Sequence, residues 1–195
     1  MSQPKLLVLS GSLRAGSYNH LLAAAAGRGA VDAGASVTGI RLVDFDLPLY
    51  NEDEEKSRGL PDGAKRLKDL FKAHHGLIIG CPEYNSAISA ALKNAIDWVS
   101  RPREGEAPLE CFDSKVVGLV AASPGALGGI RGLPTVRHVL SNIRSIVLPD
   151  QFALSMAHEA FDEQGHLKND KQRQMAEAVG RRVAEVAAAV GKVTA

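Results

Sequence analysis

The chain has 195 residues, 45% of them hydrophobic and 23% charged, with a formal net charge of +1. That balance supplies a core for one globular domain spanning 1–195, and it gives neither nucleic acid nor an anionic membrane surface an electrostatic reason to bind. Two cysteines, Cys81 and Cys111, are too few for a disulfide framework or a zinc site, and no run approaches the ~20 apolar residues of a membrane span, so a cytoplasmic protein without membrane insertion is expected.

The first apolar run, 5–9, reads as a strand, too short for a secretory signal, and it passes directly into a glycine and serine turn. Further strands are predicted at 36–42, 77–81, 116–121 and 146–154. Helices are predicted between them at 19–33, 64–74, 87–100 and 135–143, with a last one at 171–190. The runs at 77–81 and 116–121 are continuously apolar, as strands buried on both faces should be. In the helix beginning near Ala87, Ile88, Ala91, Leu92, Ala95, Ile96 and Val99 fall at the 3-and-4 spacing of one buried stripe. Strand and helix alternating five times predict a three-layer α/β domain with a parallel sheet. The charged stretch 49–63 (LYNEDEEKSRGLPDG) is expected to be a surface loop, and 158–170 a second polar connection.

In an open α/β sheet, ligands bind where strands end and helices begin. Three such turns have unusual composition. Gly11–Tyr18 (GSLRAGSY) has the Gly-x-x-x-x-Gly frame of a nucleotide triphosphate loop, but Ser17 stands where the phosphate lysine belongs and Tyr18 where the magnesium-binding hydroxyl belongs. Hydroxyls at Ser10, Ser12 and Ser17, the Asn19 amide, the Arg14 cation and a helix N-terminus suit a phosphate monoester instead, with no metal required. The competing reading makes Ser17 or Asn19 a helix cap and nothing more. After the third strand, Cys81-Pro82 favours an extended approach, and Glu83, Tyr84 and Asn85 offer an amide, backbone donors and a ring to a planar heterocycle. The alternative is a plain connection capped by Asn85 or Ser86. After the fourth strand, SPGALGGIR (Ser123–Arg131) carries glycines that let backbone approach a ligand closely.

Together these segments resemble the NAD(P)H-dependent FMN reductase family of flavodoxin-like proteins, which includes quinone, chromate and azo-dye reductases. GSLRAGSYN is similar to the family's phosphate loop at Gly11, Ser12, Arg14, Ser17 and Asn19; PEYN (Pro82–Asn85) is similar to its flavin-ring motif, and KNAIDW (Lys93–Trp98) to the helix segment that follows. SPGALGGIR is similar to the third flavin loop at Ser123, Gly125, Gly128, Gly129 and Arg131. The chain departs from the family pattern with Ser86 and Ala87 in place of Gly-Ser, and with Ser89 in place of a proline. The resemblance covers about residues 5 to 155 and implies a strand order of 2-1-3-4-5. It implies FMN as cofactor, NADPH or NADH as donor, and a small-molecule electron acceptor such as a quinone, free flavin, azo compound or metal oxyanion.

By the same resemblance, Ser12, Arg14, Ser17 and Asn19 hold the phosphate with Tyr18 closing the loop. Pro82, Glu83, Tyr84 and Asn85 hold the ring edge, and Ser123, Gly125, Gly128 and Gly129 complete the pocket. No side chain need act as a catalytic acid or base, and no metal site is expected. A homodimer or homotetramer is implied, with Trp98 at an interface if it is exposed. A non-enzymatic FMN-binding electron carrier keeps the same loops and is the alternative. A P-loop hydrolase would need a lysine where Ser17 stands. A phosphoacceptor module would need an acidic pocket where Ser10-Gly11 and Pro82-Glu83 stand. His74 and His75 are adjacent and cannot share a helix face as a metal pair. Cys81 reads as a small buried hydrophobe, Lys93 and Asp97 as an i, i+4 pair, and Arg14 and Arg131 as candidates for a donor's 2′-phosphate.

Overall fold

The computed structural model describes residues 3–193. Five strands, β1 (Lys5–Ser10), β2 (Ser36–Gly39), β3 (Gly76–Gly80), β6 (Val116–Ala122) and β7 (Ile146–Leu154), form one sheet in the order β2-β1-β3-β6-β7. Every pairing is parallel. This is the expected 2-1-3-4-5 order once the separate hairpin β4 (Glu83–Tyr84) and β5 (Ala87–Ile88) is left out of the count.

Alternation along the central strands divides the core into two layers, because successive side chains point to opposite faces. Leu6, Val8, Ile78, Val116 and Val120 pack beneath α1 (Tyr18–Asp32) and α7 (Asp170–Val193). Leu7, Leu9, Leu77, Ile79 and Leu119 pack beneath α3 (Asp62–Ala73), α4 (Ala90–Val99) and α5 (Gly132–Asn142). Helices α1 and α7 approach so closely that a Cβ on Gly180 would run into the Ala26 carbonyl, and one on Gly29 into Glu177 backbone. The alanine-rich face of α1 permits that contact. A short helix α6 (Ala157–Ala160) follows β7.

Three local expectations need correction. β2 stops at Gly39, and Leu42–Asp44 turns as a 3-10 helix. The stretch 49–63 is not a plain loop: it holds α2 (Glu52–Arg58), capped by the Asn51 side chain, and the start of α3. Four acidic residues open α2 and two basic residues close it, an arrangement that complements the helix dipole. Helix α4 starts at Ala90 rather than Ala87, because Ser89 caps it and the preceding residues form the hairpin. Trp98 is 1% exposed, so the condition for an interface there is not met; its indole N–H donates to the Pro48 carbonyl at 2.7 Å and Tyr50 is edge-on to its ring. Lys93 and Asp97 do form the expected i, i+4 pair at 2.7 Å.

Candidate functional site

The three turns singled out above come together at the carboxyl edge of the sheet, where three polar links join them. Ser89 Oγ donates to the Gly11 carbonyl at 2.7 Å while accepting from Leu92 N–H at 3.3 Å, fastening the start of α4 to the first loop. A side chain on Gly11 would collide with Leu92 and Ser89, so glycine allows that approach. The Asn19 amide donates to the Ala122 carbonyl at 2.8 Å and accepts the Ala122 N–H at 2.9 Å, fastening α1 to the end of β6. The Glu83 carboxylate accepts the N–H groups of Arg131 and Gly132 at 2.9 and 3.1 Å and the Arg131 guanidinium at 2.7 and 3.0 Å, fastening the hairpin to the third loop.

Electrostatics at the third link follow from its geometry. Burial pushes the Glu83 carboxyl up, but Arg131's hydrogen bond and charge and the backbone donors outweigh it and hold the group below the usual carboxylate range. Glu83 is therefore ionised at neutral pH and sits at the N-terminus of α5, where the helix dipole favours a negative charge. Cys81 lies fully buried beside this loop, and burial pushes its thiol far above the ordinary range. It is packing material, not a nucleophile.

The first loop leaves its donors free. Among the described residues, the backbone N–H groups of Ser12, Leu13, Ala15, Gly16 and Ser17 have no acceptor, while Arg14 N–H turns inward to Ser12 Oγ at 3.3 Å. Ser10 Oγ, at the last residue of β1, is buried without a hydrogen-bond partner. Nothing crowds Gly16. Unpaired donors within one loop, an orphaned hydroxyl at its start and a helix N-terminus are the chemistry of an anion cradle without any lysine.

A family model described as NADPH-dependent FMN reductase matches residues 4–159, well over half of the chain. The chain belongs to this family. An NAD(P)H-dependent FMN reductase of Pseudomonas aeruginosa is 38% identical over 174 residues, 88% of each protein. A quinone reductase of Pseudomonas putida strain KT2440 is 36% identical over 169 residues, 85% of each. Among solved structures, the flavoenzyme FerB, an NAD(P)H:(acceptor) oxidoreductase from Paracoccus denitrificans, superposes with a TM-score of 0.78 at 24% identity, covering 93% of this chain and 96% of that one. A flavodoxin from an archaeon superposes at 0.60 with 13% identity; these two likenesses show the flavodoxin-like fold. As a member of the NADPH-dependent FMN reductase family, the protein is an oxidoreductase of the FMN reductase and quinone reductase type, with FMN as cofactor and NAD(P)H as electron donor.

For this FMN reductase the loop chemistry agrees with the group expected there. A phosphate monoester needs many donors and no metal, and the first loop offers unpaired N–H groups, an orphaned hydroxyl and the exposed Arg14. Among the described residues no cluster of His, Cys, Asp or Glu could hold a metal ion.

The thirteen residues named from sequence have distinct positions. Ser12 and Arg14 lie on the rim of the first loop. Ser17 is buried and also caps α1, accepting from His20 N–H at 3.4 Å. The Tyr18 ring stacks on Phe161 with centroids 6.2 Å apart, so its side chain packs against the segment 158–170. Both polar atoms of the Asn19 side chain are engaged by Ala122. Pro82 is buried and Tyr84 is 55% exposed. Asn85 and Ser86 both have positive φ, 52° and 65°, and make the two-residue turn of the hairpin; neither caps a helix. Ser123 Oγ accepts Gly125 N–H at 3.2 Å. Gly128 and Gly129 have φ of 62° and 86°, and a Cβ on either would meet protein, at Leu154–Ser155 or at Ala121. Sequence reasoning missed Ser89, whose only signal was its departure from the family pattern, and the pairing of Glu83 with Arg131.

Proposed function

We propose that this protein is an NAD(P)H:acceptor oxidoreductase that holds FMN between its three loops and reduces quinone-like acceptors. The observation that carries the reading is the first loop, which combines unpaired backbone donors, the buried unpartnered Ser10 hydroxyl at its start and the exposed Arg14. Ser12, Arg14, Ser17 and the helix N-terminus bind the phosphate, with Ser10 beneath. Backbone groups of the hairpin 83–88, held by Glu83, and the loop 123–129 orient the ring. Asn19, Glu83 and Ser89 are positioning residues that keep the three loops in register. Bound FMN supplies the hydride- and electron-accepting chemistry between donor and acceptor; the protein supplies position and charge.

The choice of acceptor rests on the rim. Leu13, Tyr84, Leu127 and Ile130, from all three loops, are each about half exposed, an apolar collar suited to a flat uncharged molecule. Of the two rim arginines, Arg131 is bound by Glu83, which leaves Arg14 free for an anion. That collar favours a quinone over a metal oxyanion. Relatives named quinone reductase support the same choice. A homodimer or homotetramer remains part of the proposal, supported by the exposed apolar surface, which includes Leu49 at 81%. Sedimentation velocity tests it. No helix among the described residues is long and apolar enough to cross a membrane.

An anaerobic absorbance titration tests the function. The protein reconstituted with FMN is expected to bleach on stoichiometric NADPH or NADH and recolour on adding a quinone, faster than on adding chromate. Failure to bind FMN overturns the reading. Binding without bleaching by either nicotinamide would make the protein an electron carrier.

A further inference from the structure

A second cavity, of about 550 Å³, lies outside the three loops, between α1 and the exposed edge of β2. One helical stripe forms one wall: His20, Ala24, Gly27, Arg28 and Val31 recur at the 3-and-4 spacing of a single face. The segment Val37–Asp44 forms the other wall, with Val8 as the floor. Two glycines keep the space open. A Cβ on Gly27 would already touch Val8 and Val37, whereas one on Gly39 would meet nothing within 4 Å.

The polar lining has an unmet need. Arg28 lines the cavity; its Nη2 atom lies beneath the lining, out of reach of solvent and without a hydrogen-bond partner in the protein, so no protein acceptor holds the guanidinium. Arg41 lines the same cavity, and neither guanidinium has an ion pair among the described residues. Asp44 contributes one negative charge, and burial, with Arg41 nearby, holds the His20 imidazole below its ordinary range, so the ring is neutral at pH 7. The lining thus has one net positive charge. The remaining surface is apolar, from Val8, Ala24, Val31, Val37 and Ile40. A monoanion with an apolar body satisfies the charge and the walls together, and a carboxylate matches the guanidinium fork. A phosphate dianion overshoots the charge and leaves the apolar walls unmatched.

We propose that the cavity between α1 and β2 is a binding site for a small apolar monocarboxylate, with Arg28 and Arg41 receiving the carboxylate. Its volume is in the range of small-molecule sites, which is roughly 300–1,000 Å³. The site is separate from the three loops and does not depend on the flavin assignment.

The test uses the full chain saturated with FMN, titrated separately with sodium benzoate, benzamide and inorganic phosphate. The readouts are the His20 imidazole resonance, assigned with His20→Gln, and the flavin absorbance. Benzoate is expected to shift the resonance saturably and to raise the His20 pKa, since a bound anion favours the imidazolium. Benzamide and phosphate are expected to do neither. Arg28→Gln removes the unpaired guanidinium and Gly39→Val fills the space with a residue suited to a strand. Each is expected to weaken benzoate binding by about tenfold or more while leaving FMN affinity unchanged. The proposal is overturned if benzoate produces no saturable shift, or if benzamide or phosphate matches it. It is also overturned if both variants bind benzoate as the parent does, or if benzoate perturbs the flavin spectrum instead of His20.

Discussion

The carboxylate of Glu83 and the backbone of Arg131 meet across 48 residues of sequence, with Arg131 N–H donating at 2.9 Å and the guanidinium at 2.7 Å. The pair joins the hairpin to the third loop, and the Glu83 side chain is only 8% exposed. Glu83→Gln keeps one acceptor but removes the charge and the fork with Arg131. The expected loss of stability is about 0.5–1.5 kcal/mol, the net worth of hydrogen bonds whose donors water can still reach. Because the two loops then lose register, FMN affinity is expected to fall by about tenfold. Thermal melts and flavin-fluorescence titrations measure the two effects. FMN affinity equal to that of the parent protein would show that the pair is structural only.

At Ser86 the backbone is in the left-handed region, φ 65°, where the other turn residue is Asn85 at φ 52°. This geometry is that of a two-residue hairpin turn whose second position strongly prefers glycine. An L-residue there costs roughly 1–2 kcal/mol, and the added freedom of glycine in the unfolded chain takes back about 0.4–1 kcal/mol. Ser86→Gly is therefore expected to stabilise the protein by about 0.5–1 kcal/mol. Urea denaturation measures it, and a destabilised variant would show that the Ser86 side chain contributes contacts that outweigh the strain.

What could be read from sequence followed from periodicity. The apolar runs that became β3 and β6 are buried throughout, and the five-stranded parallel sheet followed from their alternation with helices, whereas its strand order was implied only by the family resemblance. α2 escaped because none of its residues is buried, so there was no apolar face to recognise. The hairpin escaped because two-residue strands are shorter than any usable period. The loops themselves were legible from composition, since glycine, serine and asparagine concentrate there. Their couplings were not: Ser89 with Gly11, Asn19 with Ala122 and Glu83 with Arg131 each join distant positions, and only the sheet order brings those positions together. For that reason composition alone does not show that the side chains of Asn19 and Glu83 engage the protein.

Glu106 sits 4% exposed among three cations, 2.9 Å from Lys68, 3.1 Å from Lys72 and 2.8 Å from Arg103. Lys68 is also buried and donates to the carbonyls of Val99 and Arg101, so the cluster anchors the long connection between α4 and β6. Burial raises the Glu106 carboxyl, but the Lys68 and Lys72 hydrogen bonds and charges outweigh it and leave the group below its ordinary value. Its contribution to stability is full above the unfolded carboxylate range and is lost as pH falls through the lowered folded value. Glu106→Gln is expected to cost about 3–5 kcal/mol at pH 7, because Lys68 remains buried without its counter-charge. The deficit relative to the parent protein should shrink in acid. Urea melts at pH 7 and at pH 3 measure both, and a deficit independent of pH would show that lost packing, not charge, sets the cost.

Arg14 and Ser17 separate binding from folding in the first loop. The Arg14 side chain is exposed and has no partner among the described residues, so Arg14→Ala is expected to leave the thermal midpoint unchanged. Against a phosphate dianion it removes a charge-assisted hydrogen bond, worth about 1.5–3 kcal/mol. The corresponding loss of FMN affinity is about tenfold to a hundredfold, and it should diminish at high salt because an exposed charge is screened. Ser17 also caps α1, so Ser17→Ala is expected to cost about 1 kcal/mol of stability in the absence of flavin as well as weakening FMN. Fluorescence titration of each variant at low and high salt, paired with melts of the flavin-free protein, resolves the two roles. Unchanged FMN affinity in both variants would remove the phosphate from this loop, and the unpaired N–H groups of 12–17 would then require another anion.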